Sequence, residues 1–205
     1  MFLLFSKIPL HSTMKFTQRN HPHLKDKLLR MIWRLTWLLF FRPSPVIMHT
    51  WRCFLLRIFG AKLGTNVFVY PTARIWAPWN LEMGDYSTLA DYVDCYSVDK
   101  IKIGVHSTVS QYSYLCSATH DYERPNDIIK SKMPLITAPI FLGDQVWVTA
   151  DVFVGPGVSI GDGTVVLARS TVVHDLQPWV VAAGNPATMK KKRTLRCITD
   201  KGVSQ

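Results

Sequence analysis

From residue 142 to residue 177 an aliphatic residue opens every sixth position: Leu142, Val148, Val154, Ile160, Val166 and Val172. Gly143, Gly155 and Gly161 follow three of these openers, and Val146, Val152, Val158, Thr164 and Ser170 hold a second small or β-branched site four positions after an opener. A helix repeats its apolar residues about every 3.6 positions and a half-buried strand about every 2. A period of six fits neither. It fits a short strand followed by a tight corner, repeated, so that the openers stack into one interior column per face of a solenoid.

The period extends upstream. Leu63, Val69 and Ile75 open one set of hexads, Met83, Leu89 and Cys95 a second, and Ile103, Val109 and Leu115 a third. Between sets the opener advances by eight, so two residues are extra, Leu81–Glu82 and then Ile101–Lys102. A longer insertion, Asp121–Phe141, separates the third set from Leu142. Three hexads close one triangular coil, which gives five coils: 63–80, 83–100, 103–120, 142–159 and 160–177. Every extra residue, and the insertion, then leaves from one corner. At the usual strand spacing the prism stands on the order of 24 Å tall. The fold class is all-β.

The 205 residues allow one domain plus appendages, and a hydrophobic content of 48% supplies a core. The formal charge of +10 is concentrated in two places. One is the run Lys190–Arg193; the other is the set Lys15, Arg19, Lys25, Lys27, Arg30, Arg34 and Arg42. Such patches suit phosphates or an anionic membrane face. No nucleic-acid-binding module is present, so nucleic acid is not an expected partner. The four cysteines, at 53, 95, 116 and 197, have no metal or redox spacing, and those inside coils read as small wall residues in a reducing compartment. No His-x-His or similar cluster argues for a metal.

In chain order, residues 1–23 read as disordered or as an extension, with Met14 an alternative start and a secretory signal a weak reading of the first ten residues. Residues 24–60 form a helical cap. Its first helix, 24–41, is interrupted by Arg30 and Arg34 and falls short of a membrane span. It either docks on the prism base or lies as a basic amphipathic helix at a membrane interface. Pro43 and Pro45 end it, and 46–59 reads as a second helix. The repeat domain spans 61–188 with its loop at 121–141, and 189–205 is a basic tail or short helix.

Position alone singles out several side chains. His120 closes coil three at the corner from which the insertion leaves, where an imidazole can take a proton from a hydroxyl near neutral pH. Asp91 and Asp94, in the second hexad of coil two, are either solvated wall carboxylates or holders of a sugar hydroxyl. Trp147, at the first corner of coil four, offers a flat apolar wall or buries itself under the insertion. Ala150 and Ala168 leave room for a linear group close to the backbone.

The hexads, the string CSATHDY (116–122), the stretch PLITAPIFLGDQVWV (134–148) and the terminal AAGNPA (182–187) resemble the left-handed β-helix acyltransferases. The likeness covers about residues 26–193. It is greatest to the maltose/galactoside O-acetyltransferase group and, within it, to the colanic-acid-biosynthesis-type enzymes. The resemblance implies a left-handed coil, a homotrimer with sites between subunits, acetyl-CoA as co-substrate, and a sugar hydroxyl of a polysaccharide precursor as acceptor. It places the general base on His120, the tryptophan beside the thioester arm on Trp147, and the small residues along the pantetheine on Ala150 and Ala168. CoA phosphate contacts fall near His174 and Lys191. The acceptor-binding asparagine of the galactoside enzymes falls on Asp91, a departure that bears on acceptor identity. A cytoplasmic enzyme is implied, with contact at the inner membrane face through 24–41 as an option. A small xenobiotic acceptor and a non-catalytic scaffold remain as alternative readings.

Overall fold

The computed structural model describes residues 16–19, 24–121 and 133–195. The core is a triangular prism of parallel strands. After a first strand β1 (Thr17–Arg19), coil one contributes β2 (Lys62–Leu63), β3 (Phe68–Val69) and β4 (Arg74–Ile75). Coil two holds β5 (Leu81–Met83), β6 (Thr88–Leu89) and β7 (Asp94–Tyr96). Coil three holds β8 (Ile101–Ile103), β9 (Thr108–Val109) and β10 (Tyr114–Cys116). A flap of β11 (Ala118–His120) and β12 (Leu135–Thr137) follows. Coil four holds β13 (Ile140–Leu142), β14 (Trp147–Val148) and β15 (Phe153–Val154), and coil five holds β16 (Ser159–Ile160), β17 (Val165–Val166) and β18 (Thr171–Val172). A hairpin, β19 (Val180–Gly184) and β20 (Ala187–Lys192), begins a sixth turn.

The first face stacks β2, β5, β8, β13 and β16; the second stacks β3, β6, β9, β14, β17, β19 and β20; the third stacks β4, β7, β10, β15 and β18. The hexad openers pair with one another across coils, for example Ile75 with Cys95, Cys95 with Leu115 and Leu115 with Val154. All but Leu63 are buried. Four positions past an opener the chain turns a corner with a second inward residue. Where that residue is polar, its hydroxyl satisfies a corner carbonyl: Ser87 Oγ donates to Gly84 O at 2.6 Å and Ser107 Oγ to Gly143 O at 2.7 Å. Successive coils approach so closely at the first corner that a Cβ at Gly84 would lie 2.7 Å from the Val105 amide nitrogen, which requires glycine there.

The open end of coil one is closed by α1 (Leu24–Thr36), a π-helical turn (Trp37–Phe41) and α2 (His49–Ile58). The indoles of Trp33 and Trp37 donate to Ile75 O and Ala73 O at 2.7 and 2.9 Å. Arg52, fully buried, donates Nε to Val69 O at 2.6 Å and its terminal nitrogens to Ser44 Oγ, Pro45 O and Val46 O. The first helix therefore docks, as one of its two readings required. Removing the Arg52 donors leaves Val69 O with only His49 Nδ1 and strips three part-buried acceptors of a charged partner, so Arg52→Met should cost roughly 3 kcal/mol in urea unfolding. A loss below about 1 kcal/mol would show that these contacts do not hold the cap.

Three expectations change. Residues 17–19 are not unstructured: β1 pairs antiparallel with β12, Gln18 opposite Ile136. The insertion begins earlier and ends earlier than 121–141, because 118–120 and 135–137 form the flap and Ile140 already belongs to coil four. Residues 189–192 are neither tail nor helix but part of β20, antiparallel to β19 across a turn with a cis Asn185–Pro186 bond. Residues 1–15 and 20–23, residues 122–132 including Tyr122, and residues beyond 195 lie outside the described residues.

Candidate active site

His120 sits where the chain leaves the prism. β10 runs along the third face, Ser117 turns the corner, and β11 carries His120 into the flap opposite Leu135. Asp99 fixes the base of that flap: its amide donates to Ser117 Oγ at 2.8 Å, and its carboxylate accepts from Thr137 Oγ1 at 2.9 Å. The His120 ring is half-buried, with Nδ1 3.2 Å from Met133 O. A carbonyl can only accept, so the proton sits on Nδ1 and the neutral ring keeps its lone pair on Nε2.

The other candidates distribute over the prism in groups. Ala150 and Ala168 stack at the corner between second and third faces, where the Arg169 amide donates to Ala150 O at 3.0 Å. Trp147 differs from its expected corner place. It opens β14 on the second face, stays half exposed, and donates its indole N–H to Ser110 Oγ at 3.0 Å. Lys191 is exposed on the same face in β20, opposite Val181. His174 is exposed at the corner between third and first faces in coil five, on the edge His120 occupies in coil three. One chain thus brings His120 and His174 to one edge, and Trp147, Lys191 and the two alanines to another side of the prism. It does not bring the two groups together.

The two aspartates part company. Asp91 lies at the corner after β6, where its carboxylate accepts from the Thr72 hydroxyl at 2.6 Å and helps staple coil two to coil one. Asp94 is not on the second face. It opens β7 on the third face, in register between Arg74 and Tyr114, on the sheet whose strand β10 continues to His120. Burial pushes its carboxyl pKa up, with Arg74 opposing.

Sequence reasoning passed over two outward columns of that third face. One runs Arg74, Asp94, Tyr114, Phe153; the other runs Trp76, Tyr96, Cys116. Their rings touch in series, Trp76 to Tyr96 at 5.0 Å, Tyr96 to Tyr114 at 6.4 Å and Tyr114 to Phe153 at 5.7 Å between centroids. Burial raises the pKa of the Tyr114 phenol. The signal was available: aligned on their openers, these residues fall one position before or one position after them, the outward-pointing places. Among the described residues no three His, Cys, Asp or Glu side chains converge as a metal site.

No protein-family model matches the sequence. The chain is 46% identical over 153 residues to the colanic acid biosynthesis acetyltransferase WcaF of Escherichia coli K12, a match spanning 75% of this chain and 81% of that one. The fold superposes on a maltose O-acetyltransferase of Clostridium difficile 630 with a TM-score of 0.79, 24% identity, and coverage of 89% and 95% of the two chains. It also superposes on a hexapeptide-repeat acetyltransferase of Vibrio cholerae solved with acetyl-coenzyme A, with a TM-score of 0.74, 24% identity, and coverage of 85% and 92%. A five-coil prism with an opener every sixth residue, matched this closely in sequence and in shape, places the chain in the hexapeptide-repeat acetyltransferases, which fold as left-handed β-helices.

Proposed function

We propose that the protein transfers the acetyl group of acetyl-CoA to a hydroxyl of a sugar in a surface- or exopolysaccharide precursor, at sites between subunits of a homotrimer. The observation that carries this reading is the His120 ring, held by its Nδ1 donation to Met133 O so that Nε2 is the basic atom. Nε2 takes the proton of the acceptor hydroxyl as its oxygen attacks the thioester carbonyl. A wall N–H stabilises the tetrahedral oxyanion. The C–S bond then breaks, and the imidazolium returns its proton to the CoA sulfur. Alignment of the two substrates supplies most of the remaining acceleration. Trp147, Ala150, Ala168, His174 and Lys191 would line the CoA path, with Trp147 against the thioester arm and Lys191 near phosphate. Transfer in this reading is direct, from thioester to hydroxyl, and Cys95 is sealed in the prism core away from any substrate. The test incubates the protein with acetyl-CoA and a panel of saccharides. A mass gain of one acetyl on a saccharide, matched by free CoA thiol, is the expected result. Thiol release without an acetylated saccharide across such a panel would remove the sugar reading.

The same reading includes contact with an anionic membrane surface through 24–41. No helix among the described residues is long and apolar enough to cross a membrane. This segment leaves Leu28, Ile32, Leu39 and Phe40 exposed beside Lys25 and Arg42. Apolar side chains ringed by cations favour the interface of an anionic bilayer. The full chain should co-sediment with phosphatidylglycerol vesicles and not with phosphatidylcholine ones, and Leu28→Glu/Leu39→Glu should abolish it. Equal recovery of that variant on the pellet would contradict the membrane role.

A further inference from the structure

Between α1 and the third face of coils one and two lies a groove of about 930 Å³. Four cations line it: Lys27, Arg30 and Arg34 from the helix and Arg74 from β4. Asp94, Trp76 and Tyr96 join them, and the rest of the lining is apolar, with side chains such as Met31, Leu35 and Leu38. The helix is held over this face by the Trp33 and Trp37 donations to the coil-one backbone, so the arginines are presented by a docked element and not by a free tail. Arg30 lies 5.4 Å from the Trp76 ring centroid and braces that ring against Tyr96.

The charge in the groove is unbalanced. Among the described residues no carboxylate lies within ion-pair distance of any of the four cations. Asp94 is the one acid in the wall, and its burial disfavours the charged form that would offset them. Like charges gathered in one cleft repel, and guanidinium groups in this setting match the paired oxygens of a phosphate or carboxylate. Trp76 remains part exposed and adds apolar contact surface beside the cations. The groove and the strand that delivers His120 share the third face, whereas Trp147 and Lys191 are on the second.

We propose that this groove binds the acceptor through an oxyanion, so that the sugar presented for acetylation carries a diphosphate or a uronate. The proposal rests on the sugar-acetyltransferase reading above. Its consequence is selectivity: the cationic groove holds an anionic saccharide and gives a neutral one little purchase.

The test is direct binding by titration calorimetry to the full chain saturated with CoA, which removes the CoA phosphate site from competition. The probes are inorganic pyrophosphate, a glucuronate-containing disaccharide and the matching neutral disaccharide. Arg34 and Arg74 are exposed, so Arg34→Gln/Arg74→Gln should keep the thermal midpoint and the CoA affinity of the native protein. At least one anionic probe should bind, the neutral disaccharide at least about tenfold more weakly, and the double variant should lose about tenfold or more of that affinity. Pyrophosphate binding alone assigns the oxyanion to a diphosphate; glucuronate binding alone assigns it to a uronate. Binding of neither anion, or anion binding that the double variant leaves unchanged, overturns the proposal. None of these outcomes depends on turnover, so a failed acetylation assay and a failed groove are separate results.

Discussion

His120→Ala should lower the rate of acetyl transfer by roughly 10²–10⁴-fold at saturating acetyl-CoA and acceptor, the usual contribution of a positioned general base. The expected effect is on the chemical step. Among the described residues the His120 ring makes one hydrogen bond, at 3.2 Å, to the Met133 carbonyl at the far end of the flap, and it is half-buried. The flap does not depend on it. β11 and β12 pair through their backbones, and Asp99, Ser117 and Thr137 tie their base to coil two. The thermal midpoint should therefore move little, and CoA should bind as before. A variant that keeps more than about a tenth of the native rate would remove His120 as the base.

The fold was legible because the same physical rule repeats. An inward column needs an apolar residue at one fixed place per strand, and Leu63 through Val172 occupy that place in all five coils. The corner count followed from the extra residues at 81–82 and 101–102, which lengthen β5 and β8 to three residues each. What periodicity could not show are contacts made against it. β1 is ordered by pairing with β12, where Thr137 Oγ1 also meets Thr17 O at 3.4 Å across 120 positions of sequence. No local pattern announces such a partner. β20 carries Met189 and three lysines with no inward column, and is a strand because β19 offers it an edge.

The site was read less completely for a related reason. The hexads locate a residue on a face, but an assignment one position out moves it to the next face. Asp94 was placed with Asp91 by the hexad boundary, whereas the chain turns between them and β7 begins at Asp94. Trp147 likewise starts a strand that the hexad frame set at a corner. The groove was not legible at all. It exists only because α1 folds back over β4 and β7, and nothing in the helix sequence says which face of the prism it will cover.

The central claim is that acetyl transfer occurs at a site assembled from two chains, since His120 and the Trp147–Ala150–Ala168 side of the prism are separated within one. Parallel prisms related by three-fold symmetry would set the His120 edge of one against the second-face side of the next. The measurement is activity of mixed oligomers. His120→Ala chains lack the base and Ala150→Trp chains block the pantetheine path, so each alone should be inactive. Mixed in equal amounts and allowed to exchange subunits, a shared site leaves about one site in four with an intact His120 facing an intact Ala150, and about a quarter of native activity should return. A site contained in one chain leaves every site defective, and no recovery after demonstrated exchange would contradict the account.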